Sequence, residues 1–578
     1  KNILSLDSNG DDSTITLSEV NRVAQDICTH ISHGNLTAVS DGERVAAIVF
    51  ACPDTLTTVA TPQQVTDVLV SAIEADPTPA LPVDVPTTLL NAQKLADETR
   101  LQPLRWVSFL PHKGRNISLY EPGRALKSRR AFLWEDETHP LIQGRLSNGL
   151  QVNFVSTSHI AEPGIASIRI WAPGMEREYA KPAAVYLAAR MMMEGGAMNN
   201  FSREAVELFC TDRGIHVDIR AERGAMVMDI ETNHGLETVL QMAHCMLSSF
   251  KWESDAFERA VAGAHHHINS CNSDLFSLCR DVAVRRLTGN DSWVSPPSHR
   301  SIDNISFEEA KCAAMKQILS PNVEVSVAAD LSVDEISSLT QLYLGTVPRY
   351  KGRFSSATVL DEQHIYNRES NFSGSTDDLL RVQLGDSEER GVGVIAGHMY
   401  RKDDVYGRKD GPYTSHILYP RAVALVLQEI ANRRLFEIVR EERGLCYDAS
   451  FEMSSIDSDI TRSSIYTVTV STSPSQIENA VRACRDVLLA LQDYHCDQRQ
   501  MDIVKRHVVN RLMTQTSHSK FWVDSMSGSQ TPECGRKSLN DLAAVVESIT
   551  NQDVREFAVG IKLGTFVVTC VGISQNTE

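Results

Sequence analysis

The sequence predicts an α+β chain of two sibling modules, each an antiparallel sheet covered by helices, preceded by the tail of a further module. Three observations carry this reading. A pattern of Ile-Ser/Thr, polar residues, an amphipathic helix and a β-branched run occurs three times, beginning at Ile15-Thr16, Ile305-Ser306 and Ile549-Thr550. After the first copy, strand pairs and helix pairs follow one another in the same order twice over, as in layered α+β domains. A length of 578 residues also exceeds what one hydrophobic core spans.

In each copy the Ser or Thr is a helix N-cap, and a carboxylate in the first turn faces the positive end of the helix dipole. The runs that follow, 45–50, 323–327 and 565–571, are rich in β-branched residues, which suit a half-buried pleated surface. The last copy closes the chain, so each copy marks the end of a module. Residues 1–56 are therefore expected to be the tail of a module whose body lies upstream.

Residues 57–135 read as a linker and extension. Prolines at Pro77, Pro79, Pro82 and Pro86 favour extended backbone and block a helix. A short helix is expected over 87–100 and a basic stretch over 124–130, both crossing a module surface.

The first complete module, 136–350, opens on a hairpin at Asn148-Gly149. A strand over 165–172 follows, then helices over 181–194 and, capped by Ser202, 204–211. Strands over 216–220 and 225–231 and an amphipathic helix over 236–250 complete it. The second module, 351–578, repeats the order: strands 379–384 and 392–396, a long helix 421–443, strands 446–453 and 463–471, helices 474–495 and 498–516.

Composition narrows the function classes. Acidic residues outnumber basic ones by 74 to 56, a net charge of −18, which argues against a protein that tracks nucleic-acid phosphates. The 12 cysteines form no C-x-x-C pair and are too sparse for a disulfide scaffold, so a reducing compartment is expected. No apolar run approaches the roughly 18 residues of a membrane-crossing helix, so no membrane span is expected. Lys1 opens no charged-then-apolar leader, so no targeting segment is expected within the chain.

Most catalytic patterns are absent. There is no H-E-x-x-H, H-x-x-E-H, G-x-S-x-G or Walker loop. Gly391, Gly393 and Gly397 have the wrong spacing for a dinucleotide fingerprint and sit in an alternating strand. His265, His266 and His267 are consecutive on a helix, where neighbours point about 100° apart, so they are read as a solvated face and not as metal ligands. His30 and His33 are read as helix surface for want of an acidic partner in register.

The informative segment runs from Arg434 through Arg440 and Gly444 to Tyr447 and Phe451, a charged helix that passes directly into a strand. Gly444 suits a left-handed C-cap. An Arg late in the helix and a Tyr in the strand can reach one space and offer a guanidinium fork and a phenol to a peptide carbonyl. Glu437, Glu441, Glu442 and Arg443 are expected to be surface pairs or solvated groups. On the residues alone, Arg440 and Tyr447 stay open between surface and function.

The helix with Arg440, six intervening residues and Tyr447 resembles the C-terminal half of pitrilysin-type M16 metallopeptidases, and within them the branch that processes plastid-imported precursors. The likeness is carried by 145–153, Glu194-Gly195-Gly196, 200–210, 344–347, 434–436 and 444–452, and extends more loosely from about residue 10 to the C-terminus. It implies a clamshell of two halves, each of two homologous modules, with an inverted H-x-x-E-H zinc site in the first module. This chain would be the second half, with an upstream N-terminal half as partner. Its own corresponding stretch, 185–191, has neither His nor Glu, so this chain is expected to bind no metal; zinc, water activation and a Glu base would all come from the upstream half. Arg440 and Tyr447 are implied to grip substrate backbone and developing oxyanion. The implied substrates are transit peptides, basic and poor in acid, and the implied compartment is the plastid stroma. The alternative is a non-catalytic M16-like structural or partner subunit, of the respiratory-complex core type, or a peptide-binding half.

Overall fold

The computed structural model describes residues 85–575 apart from 102–105, 109–140, 158–163, 175–180, 223–224, 289–296, 321, 349–378, 386–388, 400–418, 454–463, 494–495, 528–541 and 566. The first copy of the repeated pattern, His30 and His33, and the basic stretch 124–130 lie outside the described residues.

Helix α1 (Ala92–Leu101) opens the described chain, and strands β1 (Trp106–Ser108), β2 (Leu141–Leu146), β3 (Gln151–Ser156), β4 (Ala166–Ala172), β5 (His216–Glu222), β6 (Ala225–Thr232) and β7 (Glu324–Ala329) form one sheet. Their order is β1-β2-β3-β7-β4-β6-β5, and every neighbouring pair is antiparallel except β3 with β7. Helices α2 (Pro182–Glu194), α3 (Arg203–Asp212), α4 (Leu236–Ser248), α5 (Ser254–Ser273), α6 (Leu275–Thr288), α7 (His299–Asp303), α8 (Phe307–Ile318) and α9 (Val333–Gly345) belong to the same stretch of chain. The Asn148-Gly149 turn joins β2 to β3 as expected, with Gly149 at φ 92°. The Asn148 amide donates to the carbonyls of Leu344 (2.7 Å) and Val347 (3.1 Å), which ties the first turn of the module to its last helix.

The second sheet comprises β8 (Leu379–Gly385), β9 (Arg390–Met399), β10 (Asp448–Met453), β11 (Ser464–Thr472) and β12 (Val567–Gln575). Its order is β10-β11-β9-β12-β8, again antiparallel except for one pair, β12 with β8. Its helices are α10 (Tyr419–Leu435), α11 (Ile477–Ala490), α12 (Gln498–Thr516), α13 (Ser519–Met526), α14 (Leu542–Ser548) and α15 (Asn551–Gly560). The two described copies of the repeated pattern occupy equivalent places. Ser306 with Glu309 starts α8 and Thr550 with Asp553 starts α15, each as a reciprocal capping box, and each helix feeds a strand inside its sheet.

Each sheet is also covered by a helix from the other module's stretch of chain. Helix α6, from the first module's stretch of chain, packs on β9 and β12 of the second sheet, and α13, from the second, packs on β3, β4 and β7 of the first. The two contacts differ in chemistry. Leu275, Cys279 and Val284 of α6 pack on Val392, Val394, Val568 and Cys570 of the sheet, an apolar layer so close that a Cβ at Gly572 would collide with the Cys279 sulfur.

Beneath α13 the sheet presents buried polar groups. The Asn153 amide donates to the Met526 carbonyl (3.2 Å) and to the Glu324 carboxylate, and Ser167 Oγ meets Ser519 Oγ at 2.7 Å. Arg169, 9% exposed, forks onto Asp229 at 2.6 and 2.8 Å, and its Nη2 reaches Asp524 of α13 at 2.6 Å. Arg220 adds a second cation to Asp229 at 2.7 Å. Burial alone would raise the Asp229 carboxyl, but the two guanidinium groups outweigh it and hold the carboxyl below its ordinary value.

Part of the stretch read as linker packs as module structure. Leu89 and Leu95 are buried in the first core, and the Leu89 N–H donates to Gln241 Oε1 at 2.9 Å.

Candidate functional site

Helix α10 buries Tyr419, Ala422, Val423, Val426, Leu427, Ile430, Ala431 and Leu435, the three- and four-residue spacing of one apolar face. The expected helix over 421–443 is present, but its last part is not α-helical. From Phe436 to Glu442 it widens into a π-helix, with the Arg443 N–H donating to the Ile438 carbonyl (3.1 Å) five residues back. A π-helix is rare, costs good backbone geometry, and is found disproportionately at functional sites. Here it carries Arg440. Val439 stays fully buried in the core, while Arg440 is turned outward.

The helix stops at Gly444, whose φ of 59° is the left-handed conformation expected for a C-cap. Nothing lies within 4 Å of where a Cβ would sit, so the demand for glycine is conformational and not steric. Leu445 donates back to the Val439 carbonyl (2.9 Å), Cys446 is buried, and the Tyr447 N–H donates to the Ser471 carbonyl (3.0 Å) as the chain enters edge strand β10. Burial pushes the Cys446 thiol up, with Asp448 adding to the shift and Arg440 opposing it, so this cysteine is a protonated core residue and no nucleophile.

Arg440 and Tyr447 thus flank one turn, on its helical and strand arms. Tyr447 is 76% exposed, far more than an aromatic ring held for packing. The Arg440 guanidinium lies over the Phe436 ring, 5.0 Å from its centroid, and among the described residues no ion pair neutralises it. Phe436, itself exposed, was missed in the sequence reading; its four-residue spacing to Arg440 was the available signal. The neighbouring charges behave as expected for a surface. Glu437 pairs with Arg434 (3.0 Å) and Arg433 (3.8 Å), Arg443 approaches Asp486 (3.8 Å), and Glu441 and Glu442 are exposed. A planar cation and a phenol beside an edge strand can hold a peptide carbonyl and stabilise negative charge on its oxygen.

The other candidates resolve differently. Gly391, Gly393 and Gly397 lie in β9, and Gly391 and Gly393 face α11, where a Cβ at Gly393 would strike Val481. Of the three consecutive histidines, His266 is exposed, but His265 is not simply solvated. Its Nδ1 meets His299 Nδ1 at 2.6 Å and its Nε2 meets Asp303 at 3.0 Å, both on α7. That pairing joins residues more than thirty apart in sequence, which helix periodicity cannot reveal.

The stretch 185–191 lies in α2, with Val185, Leu187, Ala188, Ala189 and Met191 buried and Arg190 donating to the Tyr186 hydroxyl at 2.8 Å. Apolar side chains and a guanidinium are no ligands for zinc, and among the described residues no group of three or more His, Cys, Asp or Glu could hold a metal ion. Nor is any helix among them long and apolar enough to cross a membrane.

Residues 416–508 match the family model described as the peptidase M16 inactive domain. The chain is 27% identical to a protein of Oryza sativa subsp. indica named stromal processing peptidase, chloroplastic, over 97% of this chain and 46% of the relative. The proteins of that name from Pisum sativum (26% identity, 97% and 46%) and Arabidopsis thaliana (26%, 94% and 44%) are similar to it in the same way. The chain spans about half the length of these relatives.

Solved structures agree on the fold. The periplasmic protease PqqL of Escherichia coli superposes with a TM-score of 0.59 at 11% identity, covering 90% of this chain and 51% of that one. A peptidase M16 inactive domain from Pseudomonas fluorescens superposes with a TM-score of 0.57 at 14% identity, covering 76% and 98%.

Proposed function

We propose that this chain acts as the C-terminal half of a zinc metalloendopeptidase that removes transit peptides from precursors imported into plastids, and that it works in the plastid stroma. Residues 1–56 would close the second module, and 136–350 and 351–578 would be the third and fourth. The observation that carries the reading is the Arg440/Tyr447 hairpin, unneutralised and exposed on a π-helix and an edge strand, inside the segment that matches the M16 model. The names of the curated relatives support the substrate class and the compartment. No observation favours a non-catalytic subunit.

In this proposal Arg440 binds a carbonyl of the substrate backbone near the scissile bond and Tyr447 donates its hydroxyl to the oxygen that becomes negative. Phe436 holds the Arg440 guanidinium in place by its ring face. The zinc would be held by the upstream half, with Arg440 and Tyr447 acting on the substrate from this one.

The test is cleavage of a plastid precursor by the full-length protein with both halves. One cut at the transit-peptide boundary is expected, with the mature domain alone left intact; an uncut precursor rejects the reading. With a net charge of −18 on this chain and a basic substrate, the cleavage rate at low substrate should fall severalfold between roughly 50 and 500 mM salt. A rate indifferent to salt rejects the electrostatic attraction.

A further inference from the structure

Asn432 stands on α10, eight residues before Arg440 and just ahead of the segment that the sequence singles out. Its carboxamide reaches across to edge strand β10 and bonds one residue twice. Asn432 Nδ2 donates to the Phe451 carbonyl (3.1 Å) and Asn432 Oδ1 accepts from the Phe451 N–H (2.6 Å). The side chain therefore behaves as a stand-in for a neighbouring strand, filling both outward backbone positions of Phe451.

We propose that Asn432 is a positioning residue for the Arg440/Tyr447 pair, an inference that rests on the function proposed above. Arg440 lies on one arm of the hairpin and Tyr447 on the other, and Asn432 ties those arms together beyond both. At the turn itself the arms are joined by backbone bonds, the Gly444 N–H to the Arg440 carbonyl (3.2 Å) and the Leu445 N–H to the Val439 carbonyl (2.9 Å), and Asn432 adds a side-chain tie farther along. Phe451 is fully buried and lies against Tyr466, ring centroids 5.5 Å apart at 21°, but apolar burial is non-directional and tolerates a shift of register. The ladder to β11 and the Ser450–Thr469 hydroxyl contact (2.7 Å) fix β10 to its sheet and not to the helix. The two-point carboxamide clamp holds helix and strand in both distance and direction.

The alternative role for such a group is to blunt an exposed strand edge against pairing with other chains. The two roles separate in kinetics. In the full-length protein with both halves, Asn432→Ala should lower kcat about tenfold and leave KM within about twofold, because substrate still docks while the phenol misses its target. Asn432→Asp keeps the acceptor for the Phe451 N–H and loses the donor, so it should fall between wild type and Asn432→Ala; it also serves if the alanine variant folds poorly. Adding Tyr447→Phe to Asn432→Ala should give a rate close to that of Tyr447→Phe alone, since a displaced hydroxyl has little left to lose.

Unchanged kcat in both Asn432 variants, a loss confined to KM, or losses that multiply in the double variant would overturn the positioning role. Aggregation of a fully active Asn432→Ala protein would do the same and assign the edge-blocking role. If Tyr447→Phe alone cleaves at the wild-type rate, the Arg440/Tyr447 reading itself fails; if it is slow while Asn432→Ala is normal, only the positioning inference fails.

Discussion

Arg440→Ala and Tyr447→Phe, each made in the full-length protein with both halves, are expected to lower turnover about 10²-fold, the loss typical of one oxyanion donor. The expectation follows from how little else these side chains do. Tyr447 is exposed and its hydroxyl supports no core contact, so removing one oxygen leaves the fold intact. Among the described residues, Arg440 makes an exposed cation–π contact with the face of Phe436 that contributes about 0.5–1 kcal/mol, too little for a large loss through stability. The loss should therefore appear in kcat with the melting profile unchanged. Zinc content should also match wild type, because neither residue belongs to a metal site in this chain. Arg440→Lys should recover little, since an ammonium cannot reproduce the planar two-point grip of a guanidinium. Wild-type turnover in both variants at full zinc content would remove the catalytic role.

Asp229→Ala is expected to cost about 3 kcal/mol, the low end for breaking a buried ion pair. Asp229 is 3% exposed and accepts from both Arg169 and Arg220. Its removal leaves Arg169 buried beneath α13 with only Asp524 opposite, which is why the low end applies. The first transition in urea unfolding should move to lower denaturant, because the broken layer lies between the modules. A shift under about 0.5 kcal/mol would mean that the cluster behaves as a solvated surface pair.

The pH dependence has a definite sign. The Asp229 carboxyl lies below its ordinary value of 3.8 in the folded chain, so the stabilisation is fully present above that value and is lost as pH falls through the folded one. Asp229→Ala should remove that part of the acid sensitivity.

Local signals were legible in the sequence and long-range ones were not. The β5 and β6 strands were located within two residues, and Ser306 and Thr550 announced their helices because an N-cap acts on its own first turn. Gly444 was readable for the same reason. The π-helix was not: Phe436 to Glu442 has ordinary helical composition.

The exchanged helices α6 and α13 were invisible for a different reason. Their amphipathic patterns show that a face is buried but not against which sheet, and for α13 the buried partners are polar. Of the candidate site, Arg440 and Tyr447 could be picked out through the helix–Gly–strand order. Phe436, Asn432 and the His265–His299 contact needed coordinates, since each depends on a neighbour brought in by folding.

The most direct test is made on this polypeptide alone. Purified without its upstream half and incubated with a plastid precursor and zinc, it should retain no stoichiometric zinc after dialysis and release no mature product, while adding the upstream half restores cleavage. Precursor hydrolysis by the isolated chain, abolished by a chelator, would contradict the account.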